Sequence, residues 1–267
     1  MSEPPLKITV ATVTYNAAAQ IGRTIASVEA QDYPHVEHLI IDGNSQDDTL
    51  ATVHHYQERN SVAPVQHEIN CLSEPDDGLY DAMNKALDMA TGDYIVFLNA
   101  GDTLHSPTTL SHVAAVARQA KTEWRGKLPA VIYGDTDLVD SEGRFLRHRR
   151  LSPPEKLTWR SFRSGMLVCH QAFYARTDLA RQFPYDQRYR FSADFDWCIR
   201  IMREAKRGKL ALVHSHEVLA DYLSEGMTTQ NHQASLRERF HIMTRHYGWI
   251  STSLYHLWFV LRSLLKK

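Results

Sequence analysis

The sequence predicts an α/β protein with a Rossmann-like, mostly parallel sheet flanked by helices. Strand-like and helix-like segments alternate over about the first 135 residues. The run Val36 to Ile41 is apolar enough for a parallel strand that is covered on both faces, 93–98 is the best strand of the chain, and 65–72 is a weaker one. The 267 residues, 43% apolar and 23% charged, suffice for one large soluble domain.

The first half is predicted from its apolar runs and turn residues. The helix over 78–90 is the clearest, because Leu79, Met83 and Leu87 recur at helical spacing. A second helix is predicted to begin at Ser45 as N-cap, with Asp47 and Asp48 in its first turn. The predicted order is strand 8–13, helix 17–31, strand 36–41, helix 45–59, strand 65–72, helix 78–90, strand 93–98, helix 107–120 and strand 130–133.

The second half is less regular. Residues 143–165 are rich in Arg and contain Pro153-Pro154, so they are interpreted as a mobile segment over the site. A helix is predicted from Ser192 to Ala205, with strands near 209–214 and 217–222 and helices over 230–247 and from 249 to the end.

Composition excludes several classes of protein. The formal net charge of −1 gives no reason to expect a nucleic-acid partner. Cys71, Cys169 and Cys198 are scattered, which indicates neither a disulfide framework nor a zinc site. The N-terminus does not resemble a signal peptide, and no apolar run is long enough for a spanning helix. We therefore expect a cytoplasmic protein.

Polar and acidic residues follow the predicted strands where a parallel sheet binds its ligands, at the carboxyl ends. Several carboxylates at one edge repel one another unless a cation or a donor-rich ligand lies among them. A divalent metal with a diphosphate, a ribose and a base would satisfy such an edge. These segments are Thr14-Tyr15-Asn16, Asp42-Gly43-Asn44-Ser45, 73–78, Asn99-Ala100-Gly101-Asp102 and Gly134-Asp135.

Four strings in order resemble glycosyltransferase family 2 with the GT-A fold. They are Thr-Val-Ala-Thr-Val-Thr-Tyr-Asn (9–16), Leu-Ile-Ile-Asp-Gly-Asn-Ser-Gln-Asp (39–47), Ser-Glu-Pro-Asp-Asp-Gly-Leu-Tyr-Asp-Ala-Met-Asn-Lys-Ala (73–86) and Gly-Asp-Tyr-Ile-Val-Phe-Leu-Asn-Ala-Gly-Asp (92–102). With 168–174 and 191–200, the sequence looks most like the exopolysaccharide and colanic-acid-type subgroup. The resemblance implies a GT-A domain over 1–230, with a donor half to about 135, a smaller acceptor half over 136–230, and a C-terminal helical tail over 231–267.

The resemblance implies inverting transfer from a nucleoside-diphosphate sugar to a hydroxyl of a saccharide or lipid-linked saccharide. Asp102 matches the last acid of a DxD-type motif for Mn²⁺ or Mg²⁺, although Asn99 replaces an acid that the family often has. Asp42 would bind the base or ribose. The alternatives are an Asx turn for Asp42, a helix cap for Asp102 and a solvated helix face for Asp81 and Asn84. The implied donor-site residues are Thr14, Tyr15, Asn16, Asp42, Glu74, Asp76, Tyr80, Asp81, Asn84, Asn99 and Gly101.

The acceptor side needs one base to take the proton of the attacking hydroxyl. By resemblance this is Asp194, which follows Ala193 where the family has a Glu-Asp pair, and Asp196 is the rival. Alternatively, Asp194 is only a first-turn acid that the helix dipole favours. His170 and Gln171 could bind substrate hydroxyls. Arg200 could reach a phosphate or simply pair with Asp196.

Two questions stay open from the sequence. The tail from Trp249 combines Trp and Leu with terminal Lys266-Lys267, which suits a helix at a membrane interface or one packed on the core or on a second subunit. The rival functions are a catalytically inactive sugar-nucleotide-binding module and a sugar-nucleotide pyrophosphorylase. The pyrophosphorylase is disfavoured, because Thr-Tyr-Asn-Ala-Ala-Ala stands where its Gly-rich loop would be.

Overall fold

The computed structural model describes residues 4–124, 126–224 and 232–264. The first half confirms the predicted alternation of strands and helices, with boundaries that differ by a few residues. Its strands and helices are β1 (Ile8–Thr14), α1 (Ala18–Glu29), β2 (Val36–Asp42), α2 (Thr49–Asn60), β3 (Glu68–Ser73), α3 (Leu79–Met89), β4 (Tyr94–Phe97), β5 (Thr103–Leu104) and α4 (Thr109–Glu123).

The second half contributes further strands to the same sheet. It contains β6 (Val131–Val139), β7 (Phe145–His148), β8 (Phe173–Arg176), α5 (Thr177–Ala180), α6 (Ala193–Arg207), β9 (Leu212–Leu223), α7 (His232–Tyr247) and α8 (Trp249–Leu264). Two short 3₁₀ helices, Trp159–Ser164 and His170–Ala172, lie between β7 and β8.

The sheet runs in the order β3-β2-β1-β4-β8-β6-β9-β5, with β7 paired to β6. Strands β3, β2, β1 and β4 pair with one another in parallel, whereas β8 is antiparallel to both β4 and β6. The sheet is therefore parallel in its first half and mixed in its second. Leu39 and Ile41 face the core under α3, and Ile40 faces α1 and α2, as the period of two requires.

Two local predictions were wrong. Helix α2 begins at Thr49 and not at Ser45, because the Ser45 hydroxyl donates to Asp42 Oδ1 (2.5 Å). Residues 143–165 are not an irregular mobile segment. They form β7 and a 3₁₀ helix whose Phe162 is fully buried in the core, so apolar anchors outweigh the basic composition.

The predicted strands near 209–214 and 217–222 are one continuous strand, β9. The pairing of β9 with β6 shifts register on both sides of Asp135. His216 lies within β9 with φ of 61°, in the left-handed region that non-glycine residues seldom adopt. The two predicted strands therefore meet at this bend of β9.

The C-terminal helices differ in how they are packed. Helix α7 places Ile242 and Met243 in the core. Helix α8 packs Tyr255 against the core but leaves an apolar face in solvent. No helix among the described residues has the length and apolar character needed to cross a membrane. Among the side chains of α8 that the structure describes, the exposed large apolar ones are Trp249, Ile250, Leu254, Leu257, Trp258 and Leu261.

Candidate active site

Asp42 ties together the carboxyl ends of β2 and β3. Its side chain is fully buried and accepts from the Ser45 amide (2.9 Å), the Ser45 hydroxyl (2.5 Å) and the Ser73 hydroxyl (2.6 Å). This is the Asx-turn geometry that the sequence left open as an alternative. Asp42 therefore shapes the loop that carries Gly43. Ser73 was not singled out from the sequence.

The side chains of Tyr15 and Asp76 form a wall beside Gly43 that suits a flat ligand. A Cβ placed on Gly43 would lie 2.6 Å from Asp76 Oδ2 and 3.3 Å from Tyr15 Cδ2, so these two side chains approach the main chain closely. The Tyr15 ring is 64% exposed, and Asp76 is held by the Gly78 amide (2.9 Å). An exposed ring beside a carboxylate suits stacking on a base and hydrogen bonding to ribose hydroxyls.

Asn16 joins the β1 and β2 loops at this wall. Its main-chain amide donates to the Ser45 hydroxyl (2.8 Å), and its side-chain Oδ1 accepts from the main-chain amide of Gln46 (2.8 Å). Its φ of 47° is a left-handed conformation that Asn tolerates better than most residues. The Thr14 hydroxyl at the end of β1 is buried without a hydrogen-bond partner among the described residues.

Some of the acids at this edge are neutralised by the protein itself. Lys85 Nζ lies 2.8 Å from Glu74 Oε1 and 3.6 Å from Asp81 Oδ2. Asp81 also accepts from Gln187 (2.8 Å). Glu74 and Asp81 are therefore balanced by a protein cation, and no ligand cation is required at either.

Asn84 has a structural position. Its Oδ1 accepts from the Tyr185 amide (2.7 Å), and its Nδ2 donates to the Tyr185 carbonyl (3.1 Å). The Tyr185 ring stacks on Tyr80 with centroids 5.4 Å apart. Asn84 thus fixes Tyr185 through both of its side-chain polar atoms, and Tyr185 was not singled out from the sequence.

Asp102 is buried at the turn after β4. Its Oδ2 accepts from Gln171 Nε2 (2.7 Å) and its Oδ1 from the Leu223 amide (3.0 Å). Burial raises the pKa of Asp102 despite these bonds. Gly101 has φ of 100°, and its amide donates to the Thr24 hydroxyl (2.9 Å). Helix α4 begins only at Thr109, so the alternative of Asp102 as its cap is wrong.

His170 links this turn to α6. Its Nε2 lies 3.3 Å from Asn99 Nδ2, and its Nδ1 lies 3.3 Å from Asp194 Oδ2. Tyr80 donates its hydroxyl to Asp194 Oδ1 (3.1 Å). Burial alone would raise the pKa of Asp194, but the hydrogen bond and charge of His170 outweigh it and lower that pKa. Asp194 is therefore ionised at neutral pH.

We name the set Asn99, Asp102, His170, Gln171 and Asp194 the His170 network. Adjacent residues of one 3₁₀ turn hold an acid of the first half and an acid of the second half. This brings together one acid expected to hold the metal and one expected to act as the base. The sequence indicated each residue separately but not these contacts.

Asp196 and Arg200 lie outside the His170 network. Asp196 is fully buried, with Oδ2 bound to Arg200 Nε (2.6 Å) and Oδ1 to His246 Nε2 (2.6 Å). Arg200 also donates to the Pro184 carbonyl (2.8 Å). Both were expected on the acceptor side; in the structure they join α6 to α7, and Arg200 pairs with the acid one turn back.

The oxygen atoms of the His170 network fit a hard divalent cation. Asn99 Oδ1 and Gln171 Oε1 are buried and have no hydrogen-bond partner among the described residues. Asn99 and Asp102 belong to one turn, closed by the Asp102 amide on the Asn99 carbonyl (2.9 Å). Carboxylate and amide oxygens are the ligands that Mg²⁺ and Mn²⁺ prefer. Asp102 and Asn99 thus offer the ligand chemistry that such an ion needs.

The known proteins that this chain resembles in sequence are glycosyltransferases. The profile described as "Glycosyl transferase family 2" matches residues 9–182. A "PGL/p-HBAD biosynthesis glycosyltransferase" from Mycobacterium bovis is 30% identical over 227 residues, covering 83% of this chain and 78% of the relative. The "Amylovoran biosynthesis glycosyltransferase AmsB" of Erwinia amylovora is 27% identical, covering 70% and 60%.

Solved structures agree on the fold. Residues 1–349 of S. aureus TarS in complex with UDP-GlcNAc superpose with a TM-score of 0.66 at 19% identity, covering 89% of this chain and 64% of that one. The Pyrobaculum calidifontis mannosyltransferase PcManGT with GDP-Man and Mn²⁺ gives 0.61 at 20%, covering 91% and 65%. The chain spans only 38% of the longer TarS chain. The likeness confirms the GT-A fold.

Proposed function

The chain belongs to glycosyltransferase family 2, and we propose that it is an inverting enzyme that moves a sugar from a nucleoside diphosphate to an acceptor hydroxyl. The observation that carries this proposal is the His170 network, in which Asp102 and Asp194 are held by adjacent residues of one turn. Inversion by direct displacement needs a leaving-group site and a single base on opposite sides of the anomeric carbon.

Each part of the site has a task in this proposal. Tyr15 and Asp76 receive the base and ribose at the wall beside Gly43. Asp194 accepts the proton of the attacking hydroxyl. His170 keeps Asp194 ionised and, with the Tyr80 hydroxyl, holds it in position.

Asp102 and Asn99 would hold Mn²⁺ or Mg²⁺. When bound, such an ion neutralises the charge of the leaving diphosphate. Gln171 and the Leu223 amide hold Asp102 from the protein side, which fixes its orientation. The Mn²⁺ in the similar PcManGT structure supports this proposal.

The acceptor is proposed to be a saccharide or a lipid-linked saccharide of a surface polysaccharide or glycolipid. The support is the printed names of the relatives, which concern amylovoran and PGL/p-HBAD biosynthesis. The AmsB relative also supports assignment to the exopolysaccharide subgroup. TarS was solved with UDP-GlcNAc, so a uridine nucleotide is the first donor to test.

We further propose that the protein works at the cytoplasmic surface of a membrane, with the exposed face of α8 against the lipid. Ile250, Leu254 and Trp258 form one stripe along this helix and are each more than half exposed. The sequence from 249 to 267 contains no acidic residue and ends in Lys266-Lys267, which lie outside the described residues.

A stack of aromatic and basic side chains lies at the N-terminal end of α8. The Tyr247 and Trp159 rings are parallel with centroids 5.3 Å apart. Arg163 lies over Tyr247 at 5.2 Å, and Arg160 and Arg203 lie over Trp159 at 5.3 and 5.2 Å. Cations next to an exposed apolar face complement anionic lipid headgroups. This stack is what favours a membrane over a second protein subunit as the occupant.

Donor binding and donor hydrolysis together test the enzyme proposal. We expect calorimetry to show one of the UDP-, GDP- or dTDP-sugars binding more tightly with Mn²⁺, and that donor to be hydrolysed slowly without acceptor. Binding without hydrolysis or transfer would identify an inactive sugar-nucleotide-binding module. Formation of a sugar nucleotide from a nucleoside triphosphate and a sugar phosphate would identify a pyrophosphorylase.

A further inference from the structure

Two histidines and two acids that are not members of the His170 network converge where β9 bends. Glu155 Oε2 lies 3.7 Å from His214 Nδ1 and 3.6 Å from His216 Nδ1. Asp135 Oδ2 lies 3.8 Å from the other ring nitrogen of His214. We call Asp135, Glu155, His214 and His216 the bend cluster. None of them has a part in the proposed transfer.

The backbone is shaped to bring the bend cluster together. His216 adopts φ of 61°, and the centroids of the two histidine rings are 4.5 Å apart. Opposite the bend, a Cβ on Gly134 would lie 2.5 Å from Ser215 Oγ and 2.6 Å from the Glu217 carbonyl. The bend can therefore pack on β6 only because residue 134 is glycine. Backbone strain of this kind persists only where the surroundings impose it.

Tyr133 fixes the remaining partners. Its ring stacks on His214 with centroids 5.0 Å apart and planes 7° from parallel. Its hydroxyl donates to the main-chain carbonyl of Glu155 (3.1 Å) and accepts from the Leu157 amide (3.1 Å). Glu155 is thus anchored beside His214 through its main chain, although its side chain is 72% exposed.

The ring nitrogens of His214 lack hydrogen-bond partners among the described residues. Both nitrogens are buried, and the side chain is 11% exposed. The carboxylates of Glu155 and Asp135 lie 3.7 and 3.8 Å from these nitrogens, and an ionised carboxylate cannot donate to the unprotonated nitrogen of a neutral ring. Leaving a buried nitrogen unbound costs about 1–3 kcal/mol. A metal on Nδ1 satisfies one nitrogen, and Nε2–H then points to Asp135.

We propose that Glu155, His214 and His216 bind Zn²⁺, with Asp135 orienting His214 from behind. Bonds of about 2.0–2.1 Å in a tetrahedron put ligand atoms roughly 3.4 Å apart. Glu155 Oε2 lies 3.7 and 3.6 Å from the two histidine nitrogens, and all three ligand atoms lie within 4.8 Å of one another. Two imidazoles and one carboxylate suit Zn²⁺ better than Mn²⁺ or Mg²⁺. The fourth position is left to water. The ion clamps residues 154–157 to the bend of β9 and is distinct from any ion at Asp102.

Zinc titration of the full chain tests this inference. We expect the wild-type protein to bind one equivalent of Zn²⁺ by calorimetry and to be stabilised by it. His216→Ala and Glu155→Gln, both at exposed side chains, should each weaken binding by roughly 100-fold or more, and Asp135→Asn by roughly 10- to 100-fold. Co²⁺ should give the intense visible bands of a tetrahedral site in the wild type and lose them in His216→Ala.

The control is a second cluster that could hold an ion, His105, Asp137 and Asp221. There His105 Nδ1 already binds Asp221 Oδ1 at 2.7 Å, so His105→Ala should leave Zn²⁺ binding unchanged. The inference is overturned by absence of Zn²⁺ binding in the wild type, by unchanged binding in His216→Ala and Glu155→Gln, or by its loss in His105→Ala. Each of these results leaves the proposed glycosyl transfer untouched, since donor binding is measured separately.

Discussion

Replacing Asp194 and Asp196 separately by Asn distinguishes a catalytic acid from a structural one on the same helix. The two lie two residues apart on α6, and so on different sides of it. Asp194 contacts His170 and Tyr80, whereas Asp196 contacts Arg200 and His246. Asparagine has nearly the same shape as aspartate, so each variant removes mainly a charge.

We expect Asp194→Asn to lose transfer while keeping donor affinity. The amide still accepts from the Tyr80 hydroxyl and can still face His170, so the fold should lose only about 1–2 kcal/mol of stability. Loss of the base should slow transfer roughly 10²- to 10⁴-fold. That is about 3–5 kcal/mol added to the activation barrier.

We expect the reverse pattern for Asp196→Asn. Both oxygens of Asp196 are bound at 2.6 Å, and its replacement by Asn leaves Arg200 without its counter-ion and His246 without the carboxylate that it contacts. Breaking a buried ion pair on one side costs roughly 3–5 kcal/mol. Arg200 keeps its bond to the Pro184 carbonyl and is 19% exposed, which favours the lower value. The midpoint of thermal unfolding should fall on the order of 10 °C.

The assay measures three quantities for each variant: donor affinity by calorimetry, initial transfer rate per folded molecule, and thermal midpoint. Normal turnover in Asp194→Asn with inactive, folded Asp196→Asn would refute the assignment of the base. Loss of donor affinity in Asp194→Asn would instead place this carboxylate in the donor site. Equal loss of stability in both variants would refute the separation of roles.

Three other perturbations have defined outcomes. Asp102→Ala, or EDTA, should abolish transfer and weaken nucleotide-sugar binding; full activity in either case contradicts a metal at Asp102. Deletion of 249–267, or Leu254→Glu with Trp258→Glu, should reduce co-sedimentation with anionic vesicles, and unchanged partitioning would favour a protein partner for α8. Burial lowers the pKa of His38 to about 3 from 6.5. Below pH 6.5 the unfolded chain therefore takes up a proton that the folded protein does not, and the free energy of unfolding decreases as the pH falls toward 3. Between pH 7.5 and 5 the free energy of unfolding should fall about 2 kcal/mol more in wild type than in His38→Gln, and equal slopes would refute this.

The sequence predicted the parts of the fold that local pattern determines. Strands β1, β2 and β4 were recognisable because each is a continuous buried run between turn residues, whereas β3 is half-exposed and gave a weaker signal. The segment 143–165 was misread because its surface residues are basic, while its ordering depends on a few buried side chains such as Phe162. Which side chain of an irregular segment reaches the core is decided by tertiary packing.

In the candidate site, too, the sequence motifs indicated single residues, whereas tertiary packing decides their contacts. Asp102, His170 and Asp194 were found from motifs, but their contacts join residues far apart in the chain, and one donor to Asp102 is the main-chain amide of Leu223. A main-chain donor has no side-chain signature. Asn84 and Asp196 looked functional because polar residues near a motif resemble ligands, whereas each is occupied by a neighbouring element.

The place of β8 in the sheet affects how the chain is made. Strand β4 pairs with β1 on one side and with β8 on the other, and β8 also separates β4 from β6. During synthesis, the donor half leaves the ribosome with one edge of β4 unpaired until residues 173–176 follow. An unpaired edge is prone to intermolecular pairing. A fragment that stops near residue 135 should therefore aggregate, and a split enzyme made from the two halves needs both pieces present together to fold.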